Sequence, residues 1–136
     1  MNILIVDDLY IIRKFTAERI KEIFKSQDIY NFRIDMCKNE SECIFMCAET
    51  CYNLIILDMM LPEDTGSNVA CSIRKYGKSK KSIIVGYSMK GDNHEYVKNV
   101  LNQGNINFFI KKPLDPEQFK ELISHEYFTS NYVKQI

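Results

Sequence analysis

Three aspartates in this chain directly follow short apolar runs, and this placement favours metal or phosphoryl chemistry. Asp7 and Asp8 come after residues 3–6, and Asp58 comes after residues 54–57. Continuous β-branched and aliphatic runs of this length are typical of central strands in a parallel sheet, buried on both faces. Ligands of open α/β sheets bind beyond the carboxyl ends of such strands. The two runs therefore predict one pocket that holds all three carboxylates.

A bound divalent cation is the expected consequence of this crowding. Clustered carboxylates repel one another unless a cation neutralises them. Mg²⁺ suits the pocket because it takes one or two carboxylates and completes its shell with water and phosphate oxygens. An aspartate beside the ion is a reasonable nucleophile toward phosphorus. A single aspartate is more often a cap or turn residue, but a pair at one strand end, with Asp58 ahead of the Pro62 and Gly66 turn, favours a functional pocket.

The elements that must position these residues alternate between strand and helix five times. Beyond the two aspartate-ending strands, the sequence predicts strands near 32–36, 83–88 and 106–110. Helices are predicted over 9–24 and at four later starts, namely Asn39 (with Glu42), Gly66, Asp92 (with Glu95) and Asp115-Pro116 (with Gln118). This alternation predicts an α/β fold with a doubly wound, five-stranded parallel sheet in three layers.

Composition narrows the class of protein. The chain has 136 residues, which predicts one domain over 1–136, and its 18 basic and 18 acidic residues cancel. We therefore expect no nucleic acid and no membrane among its partners. Cys43, Cys47 and Cys51 recur every four residues, but without the paired spacing of a zinc site, so we interpret them as packing residues. The odd cysteine count and the lack of a secretory signal predict a reducing cytoplasm.

With these features established, residues 1–124 resemble the receiver domain of two-component response regulators, in the single-domain form of chemotaxis regulators. The resemblance depends on spaced residues rather than on one motif. The matching positions are Asp7-Asp8, Asp58, Pro62, Gly66, Ser88, Phe109 and Lys112-Pro113.

The resemblance implies a flavodoxin-like (βα)5 fold and reversible phosphorylation of Asp58 by a histidine kinase or phosphotransfer protein. It also implies a Mg²⁺ site, a pair of phosphoryl-binding groups, a switch pair, and an output surface on the fourth helix, fifth strand and fifth helix for an effector or a second copy. The Mg²⁺ site would be formed by Asp7, Asp8, Asp58 and the backbone carbonyl of Met60; the phosphoryl oxygens would contact Lys112 and Ser88; and the switch residues would be Ser88 and Phe109. Such a domain is a signalling module that assists only its own phosphorylation and dephosphorylation.

Several alternatives remain open at this level. Tyr87 could take the hydroxyl position instead of Ser88, and the bulky Met59 and Met60 should influence water access to the phosphorylated form. The chain could act as a stand-alone switch, as we expect from the few residues after the receiver region, or be excised from a larger hybrid kinase. A phosphatase of the haloacid dehalogenase type needs a second acid where Met60 stands. A phosphorylation-independent interaction module would not need Asp8, Asp58 and Lys112 together.

Overall fold

A computed structural model describes residues 1–124 as five parallel strands and five helices that alternate along the chain. The strands are β1 (Asn2–Val6), β2 (Arg33–Cys37), β3 (Leu54–Asp58), β4 (Ile83–Ser88) and β5 (Phe108–Lys111). The helices are α1 (Tyr10–Ser26), α2 (Glu40–Glu49), α3 (Gly66–Lys75), α4 (His94–Asn102) and α5 (Pro116–Ser124). The predicted single domain over 1–136 also includes residues 125–136, which lie outside the described residues.

The sheet has the strand order β2-β1-β3-β4-β5, so the predicted doubly wound fold is confirmed. The chain runs outward from β1 to β2, then returns across β1 to β3 and continues to the other edge. The direction of winding therefore reverses between β1 and β3, and a crevice forms at their carboxyl ends. Asp7 and Asp58 lie at this crevice.

Helices cover both faces of the sheet, which explains the unbroken apolar runs of the central strands. Alternate residues of β1 enter different cores: Ile3 and Ile5 pack with α1 and α5, whereas Leu4 and Val6 pack with α2, α3 and α4. All four of these side chains are fully buried. Each residue of a central strand must therefore be apolar until the strand reaches the crevice.

Two predicted element boundaries were wrong. β5 begins at Phe108 rather than at Ile106. The Asn107 N–H still donates to the Ile84 carbonyl at 2.8 Å, but the Ile84 N–H donates to the Asn107 side-chain Oδ1, also at 2.8 Å, instead of to a backbone carbonyl. The cap of α4 is Asn93, whose Oδ1 accepts from the Tyr96 N–H at 3.1 Å. The predicted cap, Asp92, instead forms an ion pair with Lys111.

The other predicted caps are present in the structure. Asn39 Oδ1 accepts from the Glu42 N–H at 2.9 Å at the start of α2. Asp115 Oδ1 accepts from the Glu117 N–H at 2.8 Å at the start of α5. The Gln118 side chain does not serve that helix start, because its Oε1 accepts from the Lys111 N–H at 3.1 Å and so ties α5 to β5.

Of the three cysteines predicted to pack, Cys43 and Cys47 do so, but the prediction was wrong for Cys51. Cys43 and Cys47 are buried on α2 and contribute to the core on that side of the sheet. Cys51 lies beyond the end of α2 and is exposed, so the spacing of four does not continue along one face. Within residues 1–124, no helix is long and apolar enough to cross a bilayer.

Candidate functional site

The strand register brings the predicted site residues to one edge of the sheet. Val6 of β1 pairs with Leu57 of β3, so the residues that follow them, Asp7 and Asp58, become neighbours. On the other side, the Lys112 N–H donates to the Ser88 carbonyl at 2.9 Å and carries the β4–β5 ladder one residue beyond β5. The parallel ladder therefore gathers residues that are up to 105 positions apart in sequence.

The three predicted aspartates form one cluster. Their carboxylates each offer an oxygen within 4.8 Å of the others, with Asp7 and Asp58 buried and Asp8 exposed. The Leu9 N–H donates to Asp7 Oδ1 at 3.0 Å, and the Met60 N–H donates to Asp58 Oδ1 at 3.0 Å. These backbone bonds fix both buried carboxylates. The donor set is all oxygen and opens to solvent at Asp8, so it fits a hard divalent cation such as Mg²⁺.

Lys112 provides the positive charge that balances the buried carboxylates. Its Nζ lies 2.5 Å from Asp7 Oδ2 and 3.1 Å from Asp58 Oδ1, and only 13% of its side chain is exposed. Burial raises the pKa of Asp58, against the opposing effects of the Met60 amide and the Lys112 charge. Burial alone would lower the pKa of Lys112, but its bonds to Asp7 and Asp58 raise the pKa above the ordinary value. The ammonium is therefore held charged at the bottom of the pocket.

Ser88, and not Tyr87, faces the pocket. Successive side chains of a strand point to opposite faces of the sheet. The Tyr87 side chain packs in the core under α1 and α5, and its hydroxyl lies 3.1 Å from Thr16 Oγ1. Ser88 lines the same cavity as Asp58 and Lys112, and its Oγ accepts from the Lys90 N–H at 3.0 Å. The hydroxyl proton of Ser88 remains available for donation.

The cavity above the carboxylates has a volume of about 490 Å³ and an apolar rim. Met60 is 65% exposed and Met89 is 77% exposed at this rim. Met59 is buried in the core beneath α3, so of the two methionines next to Asp58 it is Met60 that lies at the rim. Met60 and Met89 are the methionines that border the entrance.

The turn between β3 and α3 depends on Gly66. A Cβ atom at this position would lie 2.8 Å from the Asp58 carbonyl oxygen and from Met59 Cα. The Gly66 N–H donates to the Met59 carbonyl at 3.0 Å, and Thr65 caps α3 by accepting from the Asn68 N–H. Only glycine allows the helix start to pack this closely against the backbone of Asp58.

Phe109 lies on β5, opposite Gly86 of β4, the strand that carries Ser88. Its ring packs directly on Gly86, where a Cβ atom would approach Phe109 Cδ2 to 2.8 Å. Tyr96 of α4 meets the same ring edge-to-face, with centroids 5.8 Å apart. A groove of about 310 Å³ between α4, β5 and α5 includes Val97, Phe109 and Leu122 in its lining. The half-buried Phe109 therefore contacts the strand that bears Ser88 and also lines the groove on the surface of α4, β5 and α5.

Comparison with known proteins identifies the family. The family model of the response regulator receiver domain matches residues 3–124. The chain belongs to this family. The Staphylococcus aureus transcriptional regulatory protein SrrA is 30% identical over 118 residues, which cover 86% of this chain and 44% of SrrA. The chain thus spans less than half the length of that curated relative.

Solved structures agree with the fold. The Thermotoga maritima response regulator TrrA, solved in complex with Mg²⁺-BeF, is 26% identical with a TM-score of 0.68 and covers 90% of this chain and 96% of its own. A CheY-like receiver domain from Methylobacillus flagellatus is 21% identical, also with a TM-score of 0.68, and covers 91% of this chain and 96% of its own. This protein is accordingly a receiver domain of two-component signal transduction, a class of signalling domain that interacts with histidine kinases and effectors.

Sequence reasoning missed a second carboxyl contact near the pocket. Glu40 at the start of α2 is buried; its Oε2 accepts from the Glu63 N–H at 3.3 Å, and its Oε1 has no hydrogen-bond partner among the described residues. The two side-chain carboxyl groups contact each other, which lowers the pKa of Glu40 and raises that of Glu63. No local pattern signals this contact, because it joins the start of α2 to the loop between β3 and α3, 23 residues apart.

Proposed function

We propose that this receiver domain is a Mg²⁺-dependent phosphoacceptor whose site of phosphorylation is Asp58. The observation that carries the proposal is the meeting of three carboxylates and the Lys112 ammonium at the β1–β3 crevice. Phosphoryl transfer requires in-line positioning and neutralisation of charge on the transferred group. Asp8, Asp58 and the backbone carbonyl of Met60 would hold the ion, with Asp7 acting through water. The bound ion supplies charge neutralisation.

The Asp58 carboxylate is oriented for attack by its hydrogen bond with the Met60 N–H. Its Oδ1 accepts from the Met60 N–H and lies against the Lys112 ammonium, so Oδ2 is the oxygen directed to the donor. Oδ2 forms a bond to phosphorus, and the bond from phosphorus to the donor's imidazole nitrogen or acyl oxygen breaks. The donor leaves with that electron pair, and an imidazole then holds a proton in its place. The product is an acyl phosphate on Asp58.

Lys112 and Ser88 stabilise the new phosphoryl group. The ammonium of Lys112 already lies 3.1 Å from Asp58 Oδ1, so a small movement brings it to a phosphoryl oxygen. Ser88 can donate its hydroxyl proton to a second oxygen while it continues to accept from the Lys90 N–H. These contacts form only when Asp58 is phosphorylated. Phosphorylation therefore shifts the equilibrium between the inactive and active conformations toward the active one.

The switch would follow from the movement of Ser88 toward the phosphoryl group. This movement frees space beside β4, into which Phe109 turns from its place between Gly86 and Tyr96. The surface of α4, β5 and α5 changes in response, and an effector or a second copy docks there. The phosphodonor is a histidine kinase or a histidine phosphotransfer protein. The five free cysteines fit a cytoplasmic location, where thiols stay reduced.

Binding of Mg²⁺ together with beryllofluoride, a mimic of the aspartyl phosphate, tests the proposal. Amide chemical shifts of the wild-type protein should change at the pocket only when both are present. Asp8→Asn should weaken the Mg²⁺ response, and Asp58→Asn should abolish the beryllofluoride response. Asp28→Asn, a change of the same kind at the distant end of α1, should behave as the wild type. Unchanged Mg²⁺ affinity in Asp8→Asn would remove the metal assignment.

A further inference from the structure

Tyr87 lies beneath the Lys112 ammonium on the side away from solvent. Its ring centroid is 5.2 Å from Lys112 Nζ, and the whole residue is buried. The hydroxyl lies 3.1 Å from Oγ1 of Thr16, which is also fully buried on α1. The Tyr87 hydroxyl therefore contacts α1, and the Tyr87 ring contacts the ammonium of Lys112.

The environment of Lys112 consists of two carboxylates and one aromatic ring. Lysine is a compact, strongly hydrated charge on a flexible stem, and burial removes most of its water. Asp7 and Asp58 replace part of that hydration through hydrogen bonds. The negative face of an aromatic ring attracts an ammonium within about 6 Å, and more strongly where water is excluded. The Lys112 ammonium is therefore contacted by the Tyr87 ring as well as by the two carboxylates.

The contact of Lys112 with the ring and its contacts with the carboxylates should respond differently to a bound cation, which matters for phosphoryl transfer. A divalent cation would draw negative charge on Asp7 and Asp58 toward itself and weaken their hold on Lys112. The ring is uncharged and does not bind the cation, so its attraction for the ammonium persists. We propose that Tyr87 is a positioning residue, which keeps the Lys112 ammonium directed into the pocket when its carboxylate partners are taken up by metal and phosphoryl group. This inference rests on the proposed phosphoacceptor function.

The placement of Tyr87 one residue before Ser88 gives β4 two separate tasks. Ser88 lines the pocket, whereas Tyr87 supports Lys112 from the opposite face of the strand. The hydrogen bond between Thr16 and the Tyr87 hydroxyl helps to fix the position of the ring relative to α1, so a movement of α1 would displace the ring against Lys112. Tyr87→Phe removes this hydrogen bond and keeps the ring, and Tyr87→Leu removes the ring and keeps an apolar core residue.

The affinity for beryllofluoride at saturating Mg²⁺, measured by titration calorimetry on the full chain, distinguishes these two variants. Tyr87→Phe should stay within about twofold of the wild type because the ring face remains. Tyr87→Leu should lose about tenfold in affinity, the loss expected when a desolvated ammonium is deprived of its aromatic contact. Replacement of Tyr87 by pentafluorophenylalanine keeps an aromatic ring in place but reverses its quadrupole, so it should lose at least about tenfold in affinity, and this result does not depend on how well the Leu variant folds.

The same titration in a Lys112→Met background separates positioning from general loss of structure. If Tyr87 acts through the lysine, Tyr87→Leu causes no further loss of affinity once Lys112 is absent. An equal tenfold loss in both backgrounds, or a pentafluorophenylalanine variant that binds like Tyr87→Phe, would overturn the inference. Failure of the wild type itself to bind beryllofluoride would instead refute the phosphoacceptor function, so the two failures are distinguishable.

Discussion

Replacing Lys112 by Met should make the metal-free protein markedly less stable. The substitution keeps most of the length of the side chain but removes the ammonium that lies between Asp7 and Asp58. Removal of one partner from a buried ion pair costs about 3 to 5 kcal/mol. The pocket opens to solvent at Asp8 and a carboxyl group can take up a proton, so we expect a loss of about 2 to 3 kcal/mol in the free energy of unfolding.

The same substitution should strengthen Mg²⁺ binding. Two unit charges about 4 Å apart repel by roughly 4 kcal/mol at an effective dielectric constant of 20, and the repulsion between an ammonium and a divalent ion at that distance is about twice as large. The flexible ammonium can move away from an arriving ion, which recovers part of this energy, so we expect a gain in affinity of about tenfold. Mg²⁺ at about 100 times its dissociation constant then adds roughly 2.7 kcal/mol and restores most of the lost stability.

Urea denaturation with and without Mg²⁺ measures both effects. At an m-value of about 2 kcal/mol/M, the metal-free midpoint of Lys112→Met should fall by about 1 to 1.5 M. Lys111→Met is the matched control, because Lys111 is the preceding residue and pairs with Asp92 where both side chains are exposed; its cost should stay below about 1 kcal/mol. A Lys112→Met variant as stable as this control, or one that binds Mg²⁺ more weakly than the wild type, would refute the reasoning.

Three further predictions follow from the pocket and its surroundings. Ser88→Ala should still accept a phosphoryl group on Asp58, but amide shifts near Phe109 should respond weakly to beryllofluoride, because a charge-assisted hydrogen bond of about 1.5 to 3 kcal/mol is lost; a full response would contradict the switch. Gly86→Ala should destabilise the fold by about 1 to 3 kcal/mol, measured by denaturation, because its Cβ atom would meet the Phe109 ring at 2.8 Å; an unchanged midpoint would contradict this packing. Glu63→Gln should raise the thermal midpoint at pH 7, since it removes the carboxyl whose pKa is raised by contact with Glu40 and leaves in place the Glu40 carboxyl, whose pKa the contact lowers. A carboxyl with a raised pKa loses folded-state stability as the pH rises through that range, so the gain should shrink on acidification toward the ordinary glutamate pKa; a gain that is the same at acidic pH would contradict it.

The sequence predicted the main geometry of the pocket because parallel strands obey simple rules. Apolar runs that end in Asp7-Asp8 and Asp58 could only be central strands, and their carboxyl ends must meet at one edge of the sheet. The ambiguity between Tyr87 and Ser88 was a register question of one residue, and such a slip exchanges the two faces of a strand. The structure places Tyr87 against Thr16 and Ser88 in the pocket.

What the sequence could not provide are contacts between elements that are distant in the chain. The ion pair of Lys112 with Asp7 joins residues 105 positions apart, and the role of the lysine at the phosphoryl group was known only as an implication of the family resemblance. The start of β5 was misplaced because the side-chain oxygen of Asn107 takes the place of one backbone acceptor in the ladder with β4. Such interactions depend on three-dimensional register, which local patterns do not encode.

Intact mass after incubation with Mg²⁺ and acetyl phosphate shows directly whether Asp58 is the phosphoacceptor. We predict one phosphoryl adduct of about 80 Da on the wild-type protein, dependent on Mg²⁺. The adduct should be absent in Asp58→Asn, because the amide is not a comparable nucleophile. No adduct on the wild type, or an adduct that persists in Asp58→Asn, would contradict the assignment of Asp58 as the phosphoacceptor.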